Sequence, residues 1–121
     1  MKYEATFIEL AAIFSDIAKA EIKIAAYMEA EKDYSAGSEN YYTTNNPGDM
    51  LTAYDAREKC EAAVKRVFSK LTRALELDKN NYEDKIILGQ ANRFRNNPYG
   101  FLYAVKRRAL ELAKQIDIYA K

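Results

Sequence analysis

Residues 3–34 read YEATFIELAAIFSDIAKAEIKIAAYMEAEKDY, and their apolar spacing decides the fold. Tyr3, Phe7, Leu10, Phe14, Ile17, Ile24 and Met28 recur at alternating intervals of three and four, broken only where Glu21 takes a slot. A period near 3.6 puts them on one side of an α-helix. A second apolar stripe of Ile8, Ala11, Ala18, Ile22 and Ala25 lies beside the first, so Glu9, Asp16 and Lys23 mark a narrow polar face. A helix apolar on most of its circumference needs neighbours on most sides. The spacing predicts a helix over about 3–34, stopping at Ser35-Ala36-Gly37, where Gly37 can take the left-handed conformation that closes a helix end. A polar loop to about Asn45 is expected to follow.

Asn46-Pro47 reads as the next start, because Asn caps free amide groups and Pro suits the first helical position; Asp49 is an alternative cap. Met50, Tyr54, Val64, Val67, Phe68, Leu71 and Leu75 then follow one face, predicting a second helix over 47–77. Asn81 can cap a third, with Asp84 in the capping-box slot, which carries Ile86, Ile87, Ala91 and Phe94 over 81–95. Asn97-Pro98 opens a fourth over 98–120, with Leu102, Val105, Ala109, Leu112, Ile116 and Tyr119 keeping the spacing. The expected fold is therefore all-α: a single-domain antiparallel four-helix bundle of two long N-terminal helices, one short helix and one of medium length. Asn45-Asn46-Pro47 also echoes Asn96-Asn97-Pro98, and Leu51, Ala53, Arg57 and Ala62 match Leu102, Ala104, Arg108 and Ala113 at the same offset. Shared capping chemistry or a duplicated hairpin would each give that echo.

Composition agrees with long helices. The chain has 121 residues, 49% hydrophobic and 31% charged, with four Gly and two Pro. That length supports one core burying roughly two-thirds of the unfolded surface. No uninterrupted apolar run near Met1 reads as a leader or membrane span, so a soluble cytoplasmic protein is expected. Cys60, the single cysteine, cannot form an internal disulfide and reads as a small half-buried helix residue.

Charge is unevenly divided. Residues 1–56 carry 4 Lys/Arg against 10 Asp/Glu, whereas residues 57–121 carry 15 against 8. Either an acidic helix packs among more basic ones, or a basic surface awaits an anionic partner.

Histidine is absent from the chain. Ser-His-Asp and Cys-His arrangements and imidazole metal ligands therefore do not arise. The turns around Gly37, Gly48, Gly89 and Gly100 lack the spacing of a phosphate-cradling loop. Glu29, Glu31 and Asp33, like Glu58 and Glu61, read as solvated helix faces rather than a metal site or acid-base pair. No enzyme activity, cofactor or metal is expected.

One stretch interleaves charge with rings: Arg93, Phe94, Arg95, then Tyr99, Phe101, Tyr103, then Lys106, Arg107 and Arg108. Tyr and Arg anchor protein interfaces. Rings and guanidinium groups also bind single-stranded nucleic acid, by stacking on bases and contacting phosphates. A third reading makes Phe94, Leu102 and Phe101 core, with the Arg residues solvated. The candidate partner-binding set is Arg93, Arg95, Tyr99, Phe101, Tyr103, Lys106, Arg107 and Arg108, to which Lys65, Arg66, Lys70 and Arg73 add if they face the same way.

Arg95-Asn96, with an aromatic shortly after, resembles the Arg-Asn motif of HEPN-type helical proteins, and the stretch from Tyr54 to Val64 looks like their second helix. Active HEPN ribonucleases carry a histidine a few residues after that arginine, where this chain has Gly100 or its neighbours. The resemblance, over about half the chain, implies an RNA- or DNA-binding helical protein without the catalytic histidine. Residues 73–81, RALELDKNN, resemble the junction between tetratricopeptide repeats; Ala109-Leu110-Glu111-Leu112 recurs 35 residues after Ala74, and Leu88-Gly89 stands near the position of that family's Leu-Gly pair. The sequence as a whole reads as a non-catalytic protein-binding protein of adaptor or inhibitor type. Its short third helix cannot cover its long neighbours, so either the first two helices project with apolar residues exposed, or another protein or a second copy covers them, the last giving a homodimer through the apolar faces of those two helices.

Overall fold

Leu10, Ile13, Ile17, Ala20, Ile24 and Tyr27 recur at alternating intervals of three and four, and in the computed structural model all six are buried. The structure describes the backbone of residues 6–44 and 47–120 and the side chains of 6–35 and 51–116. All of its regular elements are helices: α1 (Phe7–Thr44), α2 (Pro47–Ala74), α3 (Tyr82–Asn92) and α4 (Gly100–Ala120). At 1.5 Å per residue they reach about 57, 42, 17 and 32 Å. The all-α class and the long-long-short-medium pattern are as the sequence predicts.

The bounds differ in instructive ways. α1 passes through Gly37 and runs on to Thr44, where the sequence predicts an end at Tyr34 and a polar loop. Glycine permits a left-handed stop but does not impose one, and a helix interior absorbs it for about 1 kcal/mol. The expected caps at Asn46 and Asp49 fall respectively outside the described backbone and outside the described side chains.

α2 stops at Ala74, three residues early, because Glu76 turns to φ 50°. The Leu77 N–H then reaches the Thr72 carbonyl at 3.1 Å and the Glu76 N–H the Arg73 carbonyl at 3.1 Å, the paired bonds of a Schellman closure. Asn81 caps α3 as predicted, its side chain accepting from the Asp84 N–H at 3.1 Å.

The core face of α1 corrects the stripe expected from sequence. Leu10, Ile17 and Ile24 are shared, but Phe7, Ile8, Ile22 and Met28 lie exposed while Ile13, Ala20, Tyr27 and Ala30 are buried. Asp16, expected on the polar face, is buried and pairs with Lys70 at 3.3 Å. Val64, Phe68 and Leu71 on α2, and Leu75 just past its end, are buried as predicted, whereas Tyr54 is exposed; Tyr3, Met50 and Tyr119 lie outside the described side chains. Cys60 is half-buried against the core.

Asp16 meets Lys70, Glu31 meets Arg57 and Tyr34 meets Tyr54, so residue number falls along α2 as it rises along α1. α4 seals one side with Phe101, Leu102, Val105, Ala109 and Leu112, all buried. Phe68, Phe94 and Phe101 form a ring cluster at its centre, with Phe68 and Phe101 centroids 4.4 Å apart. Each such side chain taken from water contributes about 1.5–3 kcal/mol. Among the described residues no helix is long and apolar enough to cross a membrane.

Candidate functional site

The turn from α3 to α4 positions the basic and aromatic residues. α3 ends at Asn92, and the Arg93 carbonyl accepts from the Asn96 and Asn97 N–H groups at 3.0 and 2.9 Å. Pro98 follows, and the first bond of α4 runs from the Tyr103 N–H to the Tyr99 carbonyl at 2.9 Å. α4 thus opens at Gly100, two residues later than predicted, and α3 closes three earlier. A Cβ at Gly100 would sit 2.6 Å from Gln90 Oε1 and 2.7 Å from Asn97 Nδ2, so a larger residue there would have to displace the ends of those two side chains.

This geometry divides the eight predicted residues. Phe101 is 0% exposed and belongs to the core, which removes it from any binding surface. It falls on the inner face of α4, one turn before Val105, whereas Tyr103 points away and is 64% exposed. Tyr99 stacks on Tyr103 with ring centroids 6.0 Å apart at 26°, and its half-buried ring leans on the core.

Three of the five predicted cations are already paired. Arg95 donates to both oxygens of Glu61, from Nε at 2.7 Å and from Nη2 at 2.8 Å, and stands 3.7 Å from Glu58. Arg108 meets Asp84 at 2.7 Å, and Lys106 meets Glu21 at 3.0 Å. Arg93 and Arg107 are exposed and make no ion pair among the described residues. The second basic group divides likewise: Lys65 stands 3.8 Å from Glu61 and Lys70 pairs with Asp16, while Arg66 and Arg73 are exposed.

Glu61 is the residue that sequence reading misjudged most. It is buried rather than solvated, and hydrogen bonding from Arg95 holds its carboxyl below the usual carboxylate range against the opposing effect of burial. The same bond raises the Arg95 guanidinium further above its already high value. Next to this pair, Arg57 lies over the Tyr34 ring at 4.3 Å and near the Tyr54 ring at 5.3 Å, while reaching Glu58 at 3.2 Å and Glu31 at 3.5 Å. Its buried Nε has no hydrogen-bond partner. Burial, then the charge of Glu31, pushes the Tyr27 hydroxyl up. Glu31, Arg57, Glu58, Arg95, Glu61 and Lys65 thereby form one alternating charge ladder across α1, α2 and the turn. Only the i, i+3 spacing of Glu58 and Glu61 hinted at it in the sequence.

Beside the ladder, α2 and α3 leave a groove of about 760 Å³. Phe68, Phe94, Ala91 and Leu88 line its apolar part, and Lys65 and Arg73 are among its polar lining. Among the described residues no three Cys, Asp or Glu side chains gather as metal ligands. No family model matches this chain, and comparison with curated proteins and with solved structures found no match.

Proposed function

We propose that this chain is a non-catalytic, cytoplasmic protein-binding module. The observation that carries the reading is the neutralisation of Arg95, Lys106 and Arg108 by Glu61, Glu21 and Asp84. A surface meant for a phosphate backbone relies on cations whose counterions can be released, and carboxylates already hold these three. What stays accessible is Tyr103, stacked on the half-buried Tyr99, with Arg107 one turn further along α4 and Arg93 exposed at the end of α3. Exposed Tyr flanked by Arg is the composition of protein-interface anchors.

The test is affinity capture from the native host with the tagged full chain, alongside Tyr103→Ala and Arg107→Ala variants whose helicity is verified by circular dichroism. A stoichiometric partner lost with Tyr103→Ala, and weakened less by Arg107→Ala, is expected. A mixed-sequence single-stranded RNA or DNA probe should not shift at low salt. A shift that falls steeply with salt and disappears in Arg93→Ala and Arg107→Ala would instead establish the nucleic-acid reading.

A further inference from the structure

α1 carries two heptad seams back to back. Leu10, Ile13, Ile17, Ala20, Ile24 and Tyr27 face the core, and on the opposite side Ile8, Ala11, Ser15, Ala18, Ile22 and Ala25 repeat the same alternating spacing into solvent. A heptad repeat of this kind is the pattern by which one helix packs along another. Ile8 is 84% exposed, Ile22 69% and Phe7, on the flank, 66%. Ala11, Ala12, Ala18, Ala25 and Ala26 are exposed beside them, as is Met28.

We propose that the occupant of this face is a second copy of the chain, lying along α1 in the opposite direction. The order of large and small residues selects that arrangement. With the twofold axis between Asp16 and Ile17, Ile8 stands over Ala25 of the second copy, Ile22 over Ala11 and Ser15 over Ala18. Every isoleucine then meets an alanine, and the layers have even thickness, as close packing requires. A parallel pair would set isoleucine on isoleucine and alanine on alanine, alternating crowded layers with voids. On the flank, the same register brings Phe7 beside Met28 of the second copy, and Lys19 lies near Ala12 rather than against its own counterpart.

Extent supports the same conclusion. The seam from Ile8 to Ala25 is about 26 Å long. The exposed apolar side chains along it and its flank offer on the order of 700 Å² per chain, close to the roughly 800 Å² each partner contributes to a stable interface. The proposal rests on the reading of the chain as an interaction protein and supplies one partner for it.

Size-exclusion chromatography with light scattering on the full chain reads the outcome directly. We expect twice the 13.9 kDa protomer mass at tens of micromolar. Ile22→Glu, at an exposed position, should weaken association at least tenfold while leaving helicity by circular dichroism unchanged. Register is read in a Cys60→Ser background: a mixture of Ile8→Cys and Ala25→Cys chains should cross-link under mild oxidation, and neither alone should do so. A 13.9 kDa mass at every concentration overturns the proposal. Self-cross-linking of Ile8→Cys alone overturns the register. Because Tyr103 lies on α4, a monomer that still captures a partner through it removes the dimer and leaves the protein-binding reading standing.

Discussion

Arg95 donates two hydrogen bonds to Glu61, Nε to Oε1 at 2.7 Å and Nη2 to Oε2 at 2.8 Å, across 34 residues of sequence. This fork ties the turn after α3 to the middle of α2. A bidentate arginine fixes direction as well as distance, which is why the fork can set where α4 begins relative to α2.

The fork makes stability depend on acid. The folded-state value of Glu61 lies below its ordinary 4.5, so its contribution is complete above about pH 4.5 and is lost as pH falls through the lower folded value. Thermal melts from about pH 3 to about pH 7 should show the wild type losing stability on the acid side. Glu61→Gln should begin less stable at neutral pH and fall less steeply. Arg95→Ala should also be less stable at neutral pH, with a flatter acid limb. An unchanged acid limb in both variants would show that the fork does not act in solution.

How much of this was legible in the sequence varies with how many faces an element buries. α2 and α4 are amphipathic, so Val64, Phe68, Leu71, Leu102, Val105 and Ala109 were readable directly from spacing. α1 is apolar nearly all round, so periodicity alone could not choose between its two seams. Its partners chose, by burying Ile13, Ala20 and Tyr27 in place of Phe7, Ile8 and Ile22. The charge ladder was illegible for a different reason. Whether Glu61 is solvated or gripped depends on where Arg95 arrives, and that follows from the α3-to-α4 turn. The acidic-to-basic contrast along the chain therefore has, in part, a structural basis: Asp16 with Lys70, Glu21 with Lys106 and Glu31 with Arg57 all join α1 to the basic second half.

Glu76 gives a local test. Its φ of 50° puts a side chain where glycine is favoured, in the closing position of a Schellman turn. Glu76→Gly should stabilise the chain by about 1 kcal/mol, since the left-handed region costs a non-glycine residue about that much. Denaturant titration would show a higher midpoint with unchanged slope. A lower midpoint would mean that the Glu76 side chain stabilises the turn by more than its backbone strain costs.

Phe101 and Tyr103 separate core from surface within one turn of α4. Phe101→Ala should cost about 3–5 kcal/mol, because a ring packed against Phe68 is lost and a cavity remains. Tyr103→Ala should change stability by no more than about 0.5 kcal/mol, being exposed. Equal losses in the two variants would place Tyr103 in the core and withdraw it from the candidate surface.

Tyr27 supplies the alkaline counterpart of Glu61. Its ring is buried against Phe94 at 4.6 Å, and its hydroxyl lies within the influence of the Glu31 carboxylate. Burial first, and the Glu31 charge second, disfavour the phenolate and raise the folded-state value above 10.0. The unfolded chain therefore releases this proton more readily. Its contribution is complete below about pH 10 and is lost as pH rises through the folded value. Tyr27→Phe keeps the ring and removes the titration, so its stability should fall less between about pH 10 and about pH 12. Ultraviolet titration at the phenolate band should find one tyrosine that ionises above the others in the wild type and is missing from the variant. If all the wild-type tyrosines titrate together, the Tyr27 hydroxyl is open to water and the closure of α1 over Phe94 is looser than described.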